Sequence, residues 1–164
     1  MKSSMSVDDV KNRARGGAAI QKSSVEVSLH PLVVMNISEH WTRIWAQSSD
    51  GKPNQVFGVV LGRQTGRHVE LINSFEVKCS MNDSNNAVVD EEFFGKREAQ
   101  YREVFPDLDF LGWYTTGSEL PTEDDLNVHK QFCHLHESPI MIKLNPTAAT
   151  STEKVYRIEF DLFV

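Results

Sequence analysis

The feature that most constrains the fold is an apolar run that ends in a glycine and leads into a helix. The run extends from Phe110 to Gly117, and a break with turn residues follows it as far as Pro121. A helix then opens at Thr122 with acidic residues, which suit the positive end of a helix dipole. This pattern predicts a strand, a glycine-containing loop and a helix, an arrangement in which many proteins build a catalytic site. Here, however, the loop carries Thr, Thr and Gly and the helix carries Asn127, which are poor catalysts and poor metal ligands.

Hydrophobic periodicity places further strands and helices on both sides of this unit. Alternating apolar residues predict a strand over Val25–Leu29. Apolar positions recurring every three or four residues predict an amphipathic helix over Leu32–Ala46, with Pro31 in its first turn. Asp90 is placed to cap another helix that runs to about Val104. Strands are also predicted at Val56–Leu61, His68–Lys78, Pro139–Leu144 and Val155–Val164, with a hairpin turn at Gly62–Arg67 and a solvated loop at Ser80–Asn86.

The chain is predicted to consist of one folded domain after an unstructured tail. Residues 1–24 are rich in Ser, Lys, Arg, Gly and Ala and contain no apolar segment. Such a stretch buries too little surface to offset the entropy lost on ordering it. Its Asp8-Asp9 pair weighs against a signal peptide. A chain of 164 residues suits a single domain, which we place at residues 25–164, and the 40% hydrophobic content of the whole chain is enough for a core of ordinary size.

Charge and cysteine content exclude several classes of function. The net charge of −6 argues against binding to nucleic acid or to an anionic membrane surface. No apolar run approaches the length needed to span a bilayer. The two cysteines, Cys79 and Cys133, lack metal-type spacing, and without a secretory signal we expect reduced, buried thiols in an intracellular protein.

The segment Gly112–Gly117, with the sequence GWYTTG and a helix after it, resembles the centre of an MPN domain. The resemblance covers residues 25–164 and implies an α/β, deaminase-like fold with a central mixed β-sheet flanked by helices. In zinc-dependent members of this family, the tyrosine is followed by His-x-His-Pro and then by a Ser and an Asp at the start of the next helix. A Glu from an earlier strand serves there as the general base. These enzymes, which carry the JAMM motif, remove ubiquitin or ubiquitin-like proteins.

Carried over residue by residue, the motif is degenerate in this chain. Thr115 and Gly117 take the places of the two histidines, while Gln55 takes the place of the Glu. With a loop about one residue shorter, Asp124 falls at the Ser position and Asn127 at the Asp position. Catalytic zinc needs three firm protein ligands, and an amide has no proton-accepting carboxylate. The resemblance therefore implies a pseudoenzyme with no catalytic residue, no metal and no cofactor.

The sequences of three segments most resemble those of the inactive MPN subunits, in particular that of the COP9 signalosome: Asn73–Glu76, Phe105–Gly117 and Ile142–Pro146. Such a subunit pairs with the zinc-dependent MPN subunit that removes Nedd8 from cullins, and it contacts other signalosome subunits in the cytoplasm and nucleus. It is expected to continue into a helical region, so this chain is expected to be a fragment. Inactive MPN subunits of the proteasome lid or of a translation initiation factor stay open as alternatives. A homodimer of the isolated domain also stays open.

Aromatic residues on two predicted helices are candidates for the contact with a partner. A helix in the 90–104 region contributes to contacts between MPN domains in the resembled family, which singles out Phe93, Phe94 and Tyr101. Trp41 and Trp45 on the earlier helix are further candidates. Packing in the core of the domain is the alternative for all five.

The helix after Thr122 also contains a set of residues that could suggest a metal site. Asp125, His129 and Cys133 are spaced four residues apart. The first and the last therefore lie about 12 Å apart along the helix axis, so one ion cannot bind all three. His129 shares its side with apolar residues, where a hydrogen-bonded core histidine is the commoner role. An active zinc hydrolase that uses His129 and His134 as ligands stays open as the competing hypothesis.

Overall fold

A computed structural model describes residues 25–51, 55–117, 120–147 and 154–156. The predicted tail, residues 1–24, lies outside this range, as does most of the predicted strand Val155–Val164. In chain order the described elements are β1 (Glu26–Leu29), α1 (Pro31–Gln47), β2 (Phe57–Thr65), β3 (His68–Glu76), β4 (Cys79–Met81), β5 (Ala87–Val89), α2 (Glu91–Val104), β6 (Asp109–Thr116), α3 (Glu123–Leu135), β7 (Ile140–Leu144) and β8 (Lys154–Tyr156).

A mixed six-stranded sheet forms the centre of the domain. Its strand order is β1-β3-β2-β6-β7-β8, in which β1 is parallel to β3 and β6 is parallel to β7. The remaining neighbours in this sheet are antiparallel. Strands β4 and β5 form a separate two-stranded hairpin. This architecture confirms the predicted α/β class with a central mixed sheet.

Helices cover both faces of the sheet, and each face has its own hydrophobic core. On one face, Val33 and Ile37 of α1 pack with Leu71 and Tyr114. On the other face, residues of α2 and α3 pack with Trp113 and its neighbours. Because β6 lies between these two cores, all its residues after Asp109 are buried. This explains why the strand is apolar without alternation.

Close packing against β6 requires a glycine in the neighbouring strand. Gly58 of β2 pairs with Tyr114 of β6, and a Cβ atom at Gly58 would overlap the tyrosine ring. A glycine at this position therefore lets the Tyr114 side chain cross the neighbouring strand.

The predicted helix starts are confirmed. The Asp90 side chain accepts a hydrogen bond from the Phe93 backbone N–H at 2.9 Å, so that it caps α2. Thr122 caps α3 through a capping box with Asp125. Helix α1 begins at Pro31, as predicted.

Three predictions need correction. Strand β2 continues to Thr65, so the turn predicted over Gly62–Arg67 occupies only Gly66 and Arg67, and Gly66 has the positive φ of 62° that suits a tight hairpin. The segment predicted as a loop, Ser80–Asn86, belongs to the β4–β5 hairpin: Ser80 and Met81 are in β4, and the residues after them connect β4 to β5. Cys133 is exposed rather than buried, because it lies on the outer side of α3.

Within the described residues, no helix is both long and apolar enough to cross a membrane.

Candidate functional site

The candidate site lies at the edge of the sheet where β6 and β7 end. These strands are parallel, so their carboxyl ends meet at the same edge, where the Gly117 N–H donates to the Leu144 carbonyl at 2.9 Å. Strand β2 runs antiparallel to β6 and pairs Phe57 with Thr115. Gln55, two residues before β2, is therefore delivered to the same edge as the start of α3.

Four polar side chains meet at this edge, and we refer to Gln55, Thr115, Asp125 and Lys143 as the polar cluster. The Gln55 side-chain amide donates to Thr115 Oγ1 at 2.7 Å and to Asp125 Oδ1 at 2.8 Å. The Lys143 ammonium donates to Asp125 Oδ2 at 2.7 Å. The cluster therefore connects the start of β2, the end of β6, the first turn of α3 and strand β7.

The capping box of α3 fixes the Asp125 carboxylate in this cluster. Asp125 Oδ2 accepts from the Thr122 backbone N–H at 3.0 Å, while the Asp125 N–H donates to Thr122 Oγ1 at 3.3 Å. Because the carboxylate is tied to its own backbone, it has one orientation toward the sheet edge. Asp125 is only 1% exposed.

The environment keeps Asp125 ionised. Burial by itself would raise the pKa of this carboxyl group. Hydrogen bonds from Lys143, from the Thr122 backbone and from Gln55, together with the charge of Lys143, outweigh burial and hold the pKa below its ordinary value. The group is therefore an anion throughout the neutral range. An ionised carboxylate bound on both oxygens is a structural partner rather than a free base.

The predicted degenerate positions lie in this region but do not all join the cluster. Gln55 and Thr115 are in direct contact, and Gly117 adjoins Lys143. Asp124 is exposed and lines the adjoining groove, and Asn127 is partly buried one turn further along the helix, where its backbone carbonyl accepts a hydrogen bond from the Gln131 side-chain amide at 3.4 Å. Their correspondence to the Ser and Asp of the zinc motif stays a prediction.

Sequence reasoning missed the two charged members of the cluster. Asp125 stands next to Asp124, and only the phase of the helix decides which carboxylate faces inward. The spacing of Thr122 and Asp125 is that of a capping box with Asp in place of the usual Glu, and this was the available signal. For Lys143, the signal was a charge within the otherwise apolar strand Ile140–Leu144.

The donor set does not fit a zinc ion. The cluster offers one carboxylate, one hydroxyl and one amide, while Gly117 has no side chain. The positive charge of Lys143 already lies against the carboxylate. Zinc in proteins takes three or four His, Cys or carboxylate ligands. Nowhere in the described part of the chain do three or more His, Cys, Asp or Glu side chains come together as a metal-binding group.

The structure also separates the histidines of the alternative metal site. His129 is fully buried, and its Nδ1 accepts a hydrogen bond from the Trp113 indole N–H at 2.8 Å. His134 and Cys133 are exposed. The predicted core role of His129 is confirmed, and the structure does not bring His129 and His134 together as ligands.

A groove of about 880 Å³ opens beside the polar cluster. Its lining includes Gln55, Asp124, Asp125, Lys78 and Phe93. The ring of Phe93 is partly buried and lies 4.9 Å from the Lys78 ammonium and 5.4 Å from the Arg97 guanidinium, in cation–π contact.

Behind the site, a buried histidine fixes the tyrosine of the GWYTTG segment. His40 Nδ1 and the Tyr114 hydroxyl are hydrogen bonded at 2.8 Å. Burial, followed by the nearby Arg43 charge, lowers the pKa of His40 to about 4. Burial raises the pKa of Tyr114 above its ordinary value. Both groups are therefore neutral at physiological pH.

The candidate interface residues differ in exposure. Phe94 is only 5% exposed and packs against Phe75, Phe110 and Phe132, which favours the alternative of core packing for this residue. Tyr101 is partly buried, with its ring centroid 4.8 Å from that of Phe75.

Trp45 of α1 is the most accessible of the five candidates. Trp41 is partly buried, and its ring stacks on Trp45 with centroids 5.6 Å apart. Trp45 is 46% exposed, and Met35 on the same helix is 65% exposed. Helix α1 therefore presents apolar surface to solvent in the isolated domain.

Comparison with known proteins identifies relatives. The profile of the family described as "JAB1/Mov34/MPN/PAD-1 ubiquitin protease" matches residues 22–138. The protein named "COP9 signalosome complex subunit 6" from Drosophila melanogaster is 48% identical over 150 residues, which are 88% of this chain and 43% of that protein. Proteins of the same name from Dictyostelium discoideum and Oryza sativa subsp. japonica are 43% and 40% identical, over 80% and 79% of this chain and 41% of each relative. The chain thus spans less than half the length of these relatives.

Proposed function

This chain belongs to the JAB1/Mov34/MPN/PAD-1 family, and from this premise we propose that it is a non-catalytic MPN domain acting as a scaffold in a COP9 signalosome. The observation that carries the proposal is the polar cluster. Where zinc-dependent relatives need metal ligands and a general base, this domain holds an amide, a hydroxyl and a closed Lys143–Asp125 ion pair. The relatives named as signalosome subunit 6 support the choice of complex.

The proposed lack of activity follows from the chemistry of the groups at this sheet edge. Gln55 uses its amide N–H groups to hold Thr115 and Asp125, and an amide does not accept a proton near neutral pH. Asp125 is the one carboxylate in the cluster, and both of its oxygens are occupied. No group in the cluster is therefore free to activate water.

The scaffold role requires a surface for a partner, which we propose to be the zinc-dependent MPN subunit that removes Nedd8 from cullins. Helix α1 supports this role because it exposes Trp45, which stacks on the half-buried Trp41, and also exposes Met35. Rigid aromatic side chains and methionine are enriched at protein interfaces. Within the cell we place this pairing, and contacts with other signalosome subunits, in the cytoplasm and nucleus.

Catalysis and pairing are tested separately. For catalysis, the purified domain is analysed for zinc and assayed with a Nedd8-linked cullin substrate. We expect neither stoichiometric metal nor turnover, and metal-dependent turnover that persists through purification would contradict the proposal. The complex is assigned by affinity purification from cells. Recovery of proteasome-lid or initiation-factor subunits without signalosome subunits would replace the proposed assembly with the alternative one.

For pairing, Trp45→Glu is compared with Lys130→Glu, which introduces the same acidic group at an exposed position on α3, across the sheet. Loss of a buried aromatic contact at an interface typically weakens binding by about tenfold or more, which is about 1.4 kcal/mol. We expect Trp45→Glu to weaken binding to the catalytic MPN subunit by that amount and Lys130→Glu to leave it unchanged. Equal affinities for both folded variants would show that the Trp45 end of α1 is not the contact.

A further inference from the structure

Lys143 is a charged residue in a place where charge is normally excluded. It lies on β7, in which every residue is buried, and only 5% of it is exposed. An unpaired ammonium at such a depth would be strongly destabilising. A buried ammonium therefore needs an anionic partner that forms a hydrogen bond with it.

The partner is Asp125, and the contact links two elements that are distant in sequence. The Lys143 ammonium lies 2.7 Å from Asp125 Oδ2 and 3.5 Å from the Leu120 carbonyl oxygen. Asp125 belongs to the first turn of α3, whereas Lys143 belongs to β7. The other carboxylate oxygen accepts a hydrogen bond from Gln55, so both oxygens of Asp125 have a partner. One cation thus binds the start of the helix to the sheet edge.

Gly117 provides the space that Lys143 occupies. A Cβ atom at Gly117 would lie 2.7 Å from Lys143 Cε and 3.3 Å from its Nζ. A side chain there would push the ammonium away from Asp125. In the zinc-dependent pattern the matching position carries a histidine, so the glycine both removes a ligand and admits the lysine.

We propose that the Lys143 ammonium is the resident cation of this pocket, where it neutralises Asp125, joins the start of α3 to the sheet edge and excludes a divalent metal ion, with Gly117 making room for it. Lys143 and a metal ion then exclude each other, because both would neutralise the same carboxylate and like charges repel at short range. The pocket is therefore not an empty metal site but one closed by a charge from its own chain. This inference does not require the scaffold role and goes beyond it.

The first test uses the wild-type domain. Limited acetylation with acetic anhydride, followed by peptide mass spectrometry, measures the reactivity of each lysine. Lys96 has an exposed side chain (71%) and is the internal reference. We expect Lys143 to be acetylated at least about tenfold more slowly than Lys96, because reaction requires opening of the pocket. Equal rates would place the ammonium outside the pocket and overturn the inference.

The second test measures the cross-link. Lys143→Ala leaves Asp125 buried without its cation, and breaking a buried pair in a domain of this size lowers the melting temperature by about 10 °C. Lys96→Ala is the matched control, since it removes a solvent-exposed pair with Glu92 and should change the melting temperature by less than about 2 °C. Equal melting temperatures for the two variants would refute the structural role of the Lys143 ammonium.

The third test addresses mutual exclusion with metal. Thr115→His adds a histidine ligand beside Asp125, while Gly117 is kept so that the Lys143 ammonium is not displaced. Zinc affinity is measured by competition with a chelator, with Lys143 present and in the Lys143→Ala background. We expect at least about tenfold tighter binding without Lys143. Equal affinities in folded proteins would contradict the proposal, and if neither variant folds, the acetylation rates of the wild-type domain decide. No partner protein takes part in these tests, so their failure would leave the scaffold proposal standing.

Discussion

The stability of this domain is expected to fall between pH 7 and pH 5 because of His40. The histidine is 6% exposed and hydrogen bonded to the Tyr114 hydroxyl. Oε2 of Glu76 lies 3.7 Å from Nε2 of His40. Arg43, which forms ion pairs with Glu76 and Glu39, adds a positive charge nearby. Because Arg43 engages the Glu76 carboxylate, burial and the Arg43 charge dominate, and the pKa of His40 falls from 6.5 to about 4.

The direction of the effect follows from proton binding in the two states. A histidine whose pKa is lowered by folding is neutral in the native state but takes up a proton in the unfolded state below pH 6.5. Stability is then complete above pH 6.5 and decreases as the pH falls toward 4. With these two pKa values, the free energy of unfolding at pH 5 is lower by about 2 kcal/mol than at pH 7.5. Asp125 does not contribute in this range, because its lowered pKa confines its loss of stability to more acidic solution.

Urea unfolding at pH 7.5, 6.5, 5.5 and 5.0 measures this effect in wild type and in His40→Gln. The variant lacks the titrating group, so its pH dependence should be weaker than that of the wild type by about 2 kcal/mol across the range. His134→Gln, at an exposed position on α3, should keep the wild-type dependence. If His40→Gln and wild type lose stability in parallel, or if NMR gives His40 a titration midpoint near 6.5, the reasoning from burial is refuted.

Three further predictions concern packing and the polar cluster. Phe94→Ala should destabilise the domain by about 3–5 kcal/mol in urea unfolding, since it removes the ring that packs between Phe75, Phe110 and Phe132. Phe93→Ala, at a partly buried position, is the control and should lower the free energy of unfolding clearly less. Equal losses of stability would contradict the assignment of Phe94 to the core. Gly58→Ala should destabilise by about 1–3 kcal/mol because the added methyl group overlaps the Tyr114 ring; a neutral result would mean that this ring moves freely. Gln55→Ala removes the hydrogen-bond donor to Thr115 and Asp125, and calorimetry should show a free energy of unfolding lower by about 1–3 kcal/mol. The control is Gln64→Ala, in the exposed part of β2, which should change stability little.

Sequence patterns predicted the elements whose signals are local. The caps at Asp90 and Thr122 were visible because a side chain and a backbone N–H three residues later satisfy each other within one turn. The β4–β5 hairpin was not visible, because its strands have three residues each and its connection is polar. Periodicity needs more residues than that to distinguish a strand from a loop.

The place of the site in the chain was predicted, but only some of the residues that form it were. The strand, loop and helix around Gly117 were expected, and Gln55 and Thr115 do meet there. The choice of Asp125 over Asp124 depends on helix phase, and the role of Lys143 depends on a contact 18 residues away in the chain. Neither depends on local propensity, so both required the tertiary structure. Likewise, only packing against three other rings separates Phe94 from its neighbour Phe93.

The coupling between Gly117, Asp125 and Lys143 makes a prediction about related sequences. Removing the lysine alone leaves a buried unpaired carboxylate, whereas adding a side chain at Gly117 displaces the ammonium from Asp125. Either change leaves the Asp125 carboxylate without its cation, so the three positions are expected to vary together. In an alignment of MPN domains, a lysine at the position of Lys143 should occur with glycine at 117 and an acidic residue at 125. Frequent pairing of that lysine with a histidine at 117 would show that the cation and the metal ligand tolerate each other, and the closed-pocket argument would fail.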